Sequence, residues 1–130
     1  MTTRTLADIM ATRLVTFAPE SDIHDAIQVL LDRRLSGAPV VDASGVLVGM
    51  LSKKDCLKIA FSARYHDDHG GQVRAYMSAP VHTLDAGMDL ASAALHFLDS
   101  HYRRFPVLRD GKLVGQVSRA DLLKALSETP

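Results

Sequence analysis

This 130-residue chain has little cysteine, few aromatic residues and no net charge. Its one cysteine, Cys56, excludes an intrachain disulfide and a metal cluster built from cysteines. Tryptophan is absent and aromatic residues make up only 5% of the chain, so aliphatic side chains must fill the core. Fifteen Lys plus Arg balance fifteen Asp plus Glu, which argues against a protein whose main task is nucleic-acid binding.

Long apolar runs are also missing. The longest ones, such as Val46 to Leu51, have the length of a strand and are far too short to span a bilayer. The N-terminal residues Met1 to Arg4 are not followed by the apolar core of a signal peptide. We therefore expect a cytoplasmic protein with no membrane partner.

The dominant positive feature is an internal repeat. Identical residues recur 67 positions apart before a turn and 66 positions apart after it. The pairs include Met10 and Met77, Asp22 and Asp89, Pro39 and Pro106, Gly49 and Gly115, Ser52 and Ser118, and Asp55 and Asp121. A constant offset that slips by one residue in a turn indicates a duplicated unit with a one-residue deletion. The predicted division is repeat one at 1–62, a connector at 63–72 and repeat two at 73–130, joined in one compact module.

Each repeat has the pattern strand, helix, strand, strand, helix. Short β runs are predicted at 14–17 and 81–84, and amphipathic helices begin near Ile23 and Leu90, the first with Ser21 as its N-cap. A hairpin follows in each repeat, and the last helices start at Ser52 and Ser118. The predicted fold class is α+β: two small mixed sheets packed with helices and related by pseudo-two-fold symmetry.

The repeated motifs resemble those of the cystathionine-β-synthase (CBS) domain pair, a regulatory module. The resemblance covers roughly Leu6 to Leu126, so we expect a stand-alone CBS pair without a catalytic or transport domain. The motifs that carry it are 38–42, 45–49 and 52–55 in repeat one, and 105–108, 111–115 and 118–121 in repeat two. The resemblance implies that an adenosyl ligand such as AMP, ADP, ATP or S-adenosylmethionine binds in the cleft between the repeats. It also implies signalling to an unknown protein target through conformational or subunit rearrangement.

The resemblance assigns roles to individual residues. Asp55 and Asp121 would bind ribose hydroxyls, while Ser52 and Ser118 would lie near the phosphate. This chemistry is reasonable because a carboxylate can accept a hydrogen bond from each hydroxyl of a cis-diol, and a helix N-terminus attracts a phosphate. As walls for adenine, the resemblance implies Ala38 and Phe105, with Pro39 and Pro106. Arg103 and Arg104 would lie beside the phosphate, and Arg119 and Lys53 are further ligand-binding candidates. Thr16 and Val81 would lie on the opposite wall of the cleft.

Simpler interpretations stay open for these residues. A Ser-x-x-Asp motif at a helix start is also a helix cap, which stabilises by about 1 kcal/mol without any ligand. Arg103 and Arg104 can be a solvated edge. The chain would then be a structural dimerisation module without a functional ligand site, and we expect a homodimer in either case.

Catalysis and metal binding find little support in the sequence. No combination of acid, base and nucleophile can be named, so we do not expect an enzyme or a required cofactor. The segment His66 to His69 contains two histidines and two aspartates, but its spacing does not match a catalytic zinc motif, and no metal site is predicted there. Cys56 is expected to pack as a small apolar residue.

Overall fold

The structure, a computed structural model, describes residues 3–65 and 70–128. It divides into two compact units. The terminal unit contains the chain up to Leu14 together with the chain from His82 onward, and the central unit runs from Val15 to Val81. These units do not coincide with the sequence repeats, because each unit takes the N-terminal segment of one repeat and the body of the other.

The helices and strands follow in chain order. They are α1 (Leu6–Ile9), α2 (Ile23–Asp32), β1 (Gly37–Val41), β2 (Leu47–Ser52), α3 (Lys53–Tyr65), a 3₁₀ turn (Val73–Ala75), β3 (Leu84–Asp85), α4 (Leu90–Leu98), β4 (Arg104–Arg109), β5 (Lys112–Ser118) and α5 (Arg119–Ser127). The α+β fold class with tandem repeats is thus confirmed. The first strand of each repeat is shorter than predicted: the run 14–17 contributes only a parallel bridge from Phe17 to Val40, and the run 81–84 is replaced by the two-residue β3.

The central unit is built around an antiparallel hairpin. Strands β1 and β2 pair from Gly37 opposite Ser52, with a bulge between Val40 and Val41. Helices α2 and α3 cover the apolar face of this hairpin with aliphatic side chains, as the lack of aromatic residues requires. The core residues are Phe17, Ile23, Ala26, Leu30, Ala38, Val40, Leu51, Cys56, Ile59 and Val73.

The terminal unit has a three-stranded sheet in the order β3-β4-β5. Strands β3 and β4 are parallel and joined through α4, while β4 and β5 form an antiparallel hairpin with Arg104 opposite Ser118. Helix α1 belongs to this unit, where the Leu6 N–H donates to the Met88 carbonyl at 2.9 Å and the Leu6 side chain is fully buried. The core residues are Leu6, Leu84, Ala86, Leu90, Ala93, Phe97, Phe105, Val107, Val117, Leu122 and Ala125.

A repeated methionine–glycine contact explains two of the pairs seen in the sequence. A Cβ atom at Gly115 would lie 2.5 Å from the Met10 sulfur, and a Cβ atom at Gly49 would lie 2.5 Å from the Met77 sulfur. In both units the glycine makes room for a methionine from the segment that precedes the other repeat's first strand. Glycine is required here for close approach and not for its backbone freedom.

Aspartates cap the two amphipathic helices. The Asp22 carboxylate accepts from the Asp25 N–H at 3.1 Å, so the predicted cap at Ser21 is wrong by one residue. Asp89 occupies the equivalent position at α4, where the Ser92 hydroxyl donates to it at 2.6 Å and holds its pKa below the usual value. Ser21 instead accepts a hydrogen bond from the Ala18 N–H, because it lies in the preceding turn.

The single cysteine lies in the core of the central unit, as predicted. Cys56 is 6% exposed, and burial, together with the nearby charge of Asp55, raises the pKa of its thiol. Since the thiolate is the reactive form, we expect iodoacetamide at pH 8 to label the native protein at least about tenfold more slowly than the denatured chain. Mass spectrometry measures the fraction of modified protein, and the modification can occur only at Cys56, the single cysteine.

The raised pKa also sets the sign of a pH effect. The thiol's contribution to stability is complete below the pKa of the unfolded chain and is lost as the pH rises through the higher folded value. Labelling rates measured at increasing pH should therefore approach those of the denatured chain only in alkaline solution. Equal rates in native and denatured protein at pH 8 would contradict this burial.

Candidate functional site

A small polar cavity of about 190 Å³ lies within the terminal unit. It is lined by Ala11, Arg104, Gln116, Ser118 and Asp121. Gln116 and Ser118 are two residues apart in β5 and therefore point to the same face of the sheet, and Arg104 lies opposite Ser118 across the hairpin. Ala11 is placed by an antiparallel bridge, in which its N–H and carbonyl both pair with the Gln116 backbone at 2.9 Å.

Ser118 and Asp121 form a capping box at the start of α5. The Ser118 hydroxyl accepts from the Asp121 N–H at 3.0 Å, and Asp121 Oδ2 accepts from the Ser118 N–H at 2.9 Å. The capping interpretation is therefore confirmed. It uses one carboxylate oxygen, and Oδ1 has no hydrogen-bond partner in the described part of the chain. A capping residue can thus present a free acceptor to the cavity.

The charges around the cavity are mixed. Arg104 is exposed and carries a guanidinium at the cavity wall, while the positive end of the α5 dipole lies beside Ser118. Asp121 supplies a carboxylate at the same wall. Such a site offers hydrogen-bond donors to an anion and an acceptor to hydroxyl groups, which together match a phosphorylated sugar.

The equivalent positions of the central unit are arranged differently. Asp55 Oδ2 accepts from the Ser52 N–H at 3.0 Å and from the Ser52 hydroxyl at 2.9 Å, while the Ser78 hydroxyl donates to Asp55 Oδ1 at 3.5 Å. Asp55 Oδ2 is therefore engaged by the cap, while Oδ1 has only the long contact with the Ser78 hydroxyl. Gly37 stands at the position equivalent to Arg104, so no cation is present at that point.

The other predicted ligand-binding residues lie apart from the polar cavity. Phe105 was expected to form a wall for adenine, but its ring is buried in the core, 4.8 Å from the ring of Phe97. The physical reason is strand alternation, which turns Arg104 toward the cavity and Phe105 toward the interior. Ala38 is likewise buried in its core, and Arg103 is exposed with its carbonyl accepting from the Arg119 N–H.

Two further predicted positions stand in the central unit. Thr16 is exposed in an irregular segment, and Val81 is half-buried at the end of the unit. Neither lines the polar cavity of the terminal unit, whose wall includes Ala11 instead. The sequence did not identify Ala11 or Gln116. One signal could have identified Gln116. It is a polar residue in an otherwise apolar strand, at the position where repeat one has Met50.

The segment His66 to His69 lies outside the described residues. Among the residues that are described, no group of three or more His, Cys, Asp or Glu side chains could hold a metal ion. Across residues 3–65 and 70–128, every helix is too short or too polar to cross a membrane.

Comparison with known proteins supports the repeat pattern. The model of the CBS domain matches residues 6–62 and 73–128. The CBS domain-containing protein YhcV of Bacillus subtilis is 31% identical over 117 residues, which cover 88% of this chain and 80% of YhcV. The crystal structure of CBSX2 in complex with AMP has 29% identity and a TM-score of 0.82, and the match covers 95% of this chain and 96% of that one.

The domain also occurs inside longer proteins. The A-adding tRNA nucleotidyltransferase of Aquifex aeolicus is 31% identical over 121 residues, which cover 93% of this chain but 14% of the enzyme. This chain spans 41% of the length of another curated relative, from Methanocaldococcus jannaschii, and 63% of the Arabidopsis thaliana protein CBSX2. The shared part is therefore the CBS pair and not a whole enzyme.

Proposed function

Because this chain belongs to the CBS domain family and contains the domain twice, we propose that it is a regulatory module that binds an adenosine nucleotide. The observation that carries the proposal is the polar cavity of the terminal unit, formed between Ala11 of the first repeat and Arg104, Ser118 and Asp121 of the second. The similarity to CBSX2, whose structure contains AMP, supports the same ligand class.

The cavity supplies a role for each group of the nucleotide. Asp121 Oδ1 accepts hydrogen bonds from the ribose hydroxyls, and charge assistance makes these bonds strong. Arg104 and the N-terminal end of α5 attract the phosphate. With a volume of about 190 Å³, the cavity holds the sugar and phosphate, and the base extends out of it.

We propose that binding regulates a separate protein. A ligand shifts a conformational equilibrium only by its difference in affinity for the two states. The nucleotide links the segment around Ala11 to β4, β5 and α5, so it favours the conformation in which these elements are closed around it. A separate target protein would recognise this conformational change, and the module itself would catalyse no reaction.

Isothermal titration calorimetry tests the proposed ligand. We would titrate the protein with AMP, ADP, ATP, adenosine and S-adenosylmethionine. AMP is expected to bind with a micromolar dissociation constant, which corresponds to about −8 kcal/mol. No heat and no rise in melting temperature with any of these compounds at millimolar concentration would overturn the proposal.

A second function, assembly with another copy of the chain, is favoured by two apolar grooves. One groove of about 470 Å³ lies on α4 and α5, and one of about 330 Å³ lies on α2 and α3. All seven residues that line the first groove are repeat equivalents of the seven that line the second. The equivalent pairs are Ile27 and Ala94, Leu30 and Phe97, Leu31 and Leu98, Lys53 and Arg119, Cys56 and Leu122, Leu57 and Leu123, and Ala60 and Leu126.

We infer that a second copy covers these grooves. Leu57 and Leu123 are each 70% exposed, and Leu98 is 80% exposed, so the grooves leave large apolar side chains in water. A second copy offers two grooves of the same chemistry, and an isologous pairing can cover both with one kind of contact. A partner with an unrelated sequence would need two separate surfaces, each complementary to one of the two similar grooves.

A charge in the groove should break the assembly. Leu123→Glu is expected to raise the dimer dissociation constant at least about 100-fold, because an unpaired carboxylate is costly to bury. Sedimentation velocity measures the mass. The matched control is Leu95→Glu, because Leu95 is 60% exposed on α4 but does not line the groove. A wild-type monomer, or equal behaviour of the two variants, would contradict the groove as the interface.

A further inference from the structure

Helix α5 presents two different faces. One face lines the polar cavity through Ser118 and Asp121. The other lines the larger apolar groove with four residues at the helical spacing i, i+3, i+4 and i+7, namely Arg119, Leu122, Leu123 and Leu126. The whole helix has nine residues, so its first turn is shared between the two surfaces. A group bound in the cavity therefore lies close to the surface that a second copy covers in the proposed dimer.

Arg119 is an exceptional member of the groove. It is the only charged residue among the described residues that line the groove, and the other six are apolar. Within the described part of the chain, its guanidinium has no ion pair or hydrogen bond. Arg119 is the first residue of α5, where the positive end of the helix dipole disfavours a cation. A second copy that covers the groove removes water from this unpaired charge and strengthens its repulsion from the helix end, so both effects oppose assembly.

A phosphate bound in the polar cavity would act directly on this charge. The proposed nucleotide has its phosphate beside Ser118 and Arg104, and Ser118 is the chain neighbour of Arg119, at a Cα separation of about 3.8 Å. The Arg119 N–H also donates to the Arg103 carbonyl at 2.9 Å, which joins the start of α5 to the residue before β4. Charges at such short range are little screened, because the Debye length is about 8 Å at physiological salt. Two guanidinium groups and the helix end outweigh the single Asp121 carboxylate, so the local charge is positive until an anion binds.

We infer that Arg119 couples nucleotide binding to self-assembly, because a phosphate in the cavity offsets the guanidinium charge and makes the groove easier to cover with a second copy. This inference rests on the proposed nucleotide function and on the proposed dimer, and it adds the residue that connects the two events. Such coupling is reciprocal: AMP favours the dimer, and the dimer binds AMP more tightly than the monomer does. An uncharged nucleoside can fill the sugar site without this effect.

The test measures the dimer dissociation constant by sedimentation velocity without ligand, with saturating AMP and with saturating adenosine. In the wild type, AMP should lower this constant about tenfold, whereas adenosine should change it less than about twofold. Arg119→Met retains a long apolar side chain and removes the charge. This variant should tighten the ligand-free dimer about tenfold and reduce the effect of AMP to less than about twofold.

Lys53→Met is the matched control. Lys53 is the repeat equivalent of Arg119 and lines the groove of the central unit. Gly37 stands in that unit where the terminal unit has Arg104, so no phosphate is expected beside Lys53. The control should therefore tighten the ligand-free dimer to a similar extent and keep the effect of AMP at about tenfold.

An undiminished AMP effect in Arg119→Met, or an equal effect of AMP and adenosine on the wild type, would overturn the inference. Calorimetry on the monomer, at protein concentrations below the dimer dissociation constant, tests whether Arg119 instead binds the phosphate itself. Arg119→Met should weaken AMP binding to the monomer less than about threefold, and a larger loss would contradict the coupling role.

The remaining outcomes separate this inference from the proposals on which it rests. If calorimetry shows AMP binding but AMP leaves the wild-type dimer constant unchanged, the coupling is wrong and the nucleotide function stands. If the wild type binds no AMP, the proposed function itself fails. A wild type that is monomeric both with and without AMP would overturn the dimer and the coupling together.

Discussion

Asp121→Ala is expected to weaken AMP binding at least about 100-fold, because it removes two charge-assisted hydrogen bonds to the ribose, each worth about 1.5–3 kcal/mol. Asp121 is the only carboxylate among the described residues of the cavity wall, and its Oδ1 atom is free to accept these hydrogen bonds. Calorimetry with AMP measures the loss. Asp121→Asn should show an intermediate loss, because one carbonyl oxygen can still accept without the charge.

The substitution also removes half of a capping box, which costs about 1 kcal/mol of stability by itself. Asp55→Ala is the matched control for this effect. Asp55 holds the equivalent position at the start of α3, but Gly37 stands where the terminal unit has Arg104, so no cation accompanies it. We therefore expect Asp55→Ala to lower stability by a similar amount and to change AMP affinity less than about threefold. Equal losses of affinity in the two variants would show that our choice of the terminal unit is wrong.

Leu6→Ala is expected to lower the free energy of unfolding by about 3 kcal/mol, as is usual when a fully buried leucine is truncated. The prediction is informative because α1 has only four residues and cannot be stable alone. Its stability must come from docking into the terminal unit, where the Leu6 and Ala7 N–H groups donate to the Met88 and Ala86 carbonyls. Urea denaturation followed by circular dichroism measures the change.

The same variant should affect the ligand site. The segment that begins with α1 also holds Ala11 in its bridge with Gln116, so a loosened α1 should weaken AMP binding. Leu95→Ala is the control, because Leu95 is 60% exposed and its truncation should cost less than about 0.5 kcal/mol. A Leu6→Ala protein as stable as this control would mean that the N-terminal segment is not part of the core.

Much of the fold could be predicted because local chemistry determines it. The offset of 67 and then 66 residues predicted the duplication, and the apolar spacing from Ile23 and Leu90 predicted helices that are present as α2 and α4. The capping error at Ser21 arose because two adjacent residues both favour an N-cap, and only the backbone geometry decides between them. The repeated aspartate, Asp22 and Asp89, was already the better indication.

The candidate site was predicted only in part, for a similar reason. The Ser-x-x-Asp spacing and the arginine at the start of β4 are local features, and they predicted Ser118, Asp121 and Arg104, which line the cavity. Ala11 is more than 90 positions away from them in the chain, and no local pattern connects it to β5. Phe105 lies in the core and not at the cavity, because a motif does not state which face of its strand points inward.

The amino-acid sequence by itself determined the duplication, the order of helices and strands and the residue types that suit a nucleotide, since each depends on patterns along the chain. Only the tertiary structure decided that the N-terminal segment of each repeat packs into the unit that contains the body of the other, with Met10 against Gly115 and Met77 against Gly49. It also decided which carboxylate oxygen stays free. These outcomes depend on contacts between residues far apart in sequence, which no local pattern specifies.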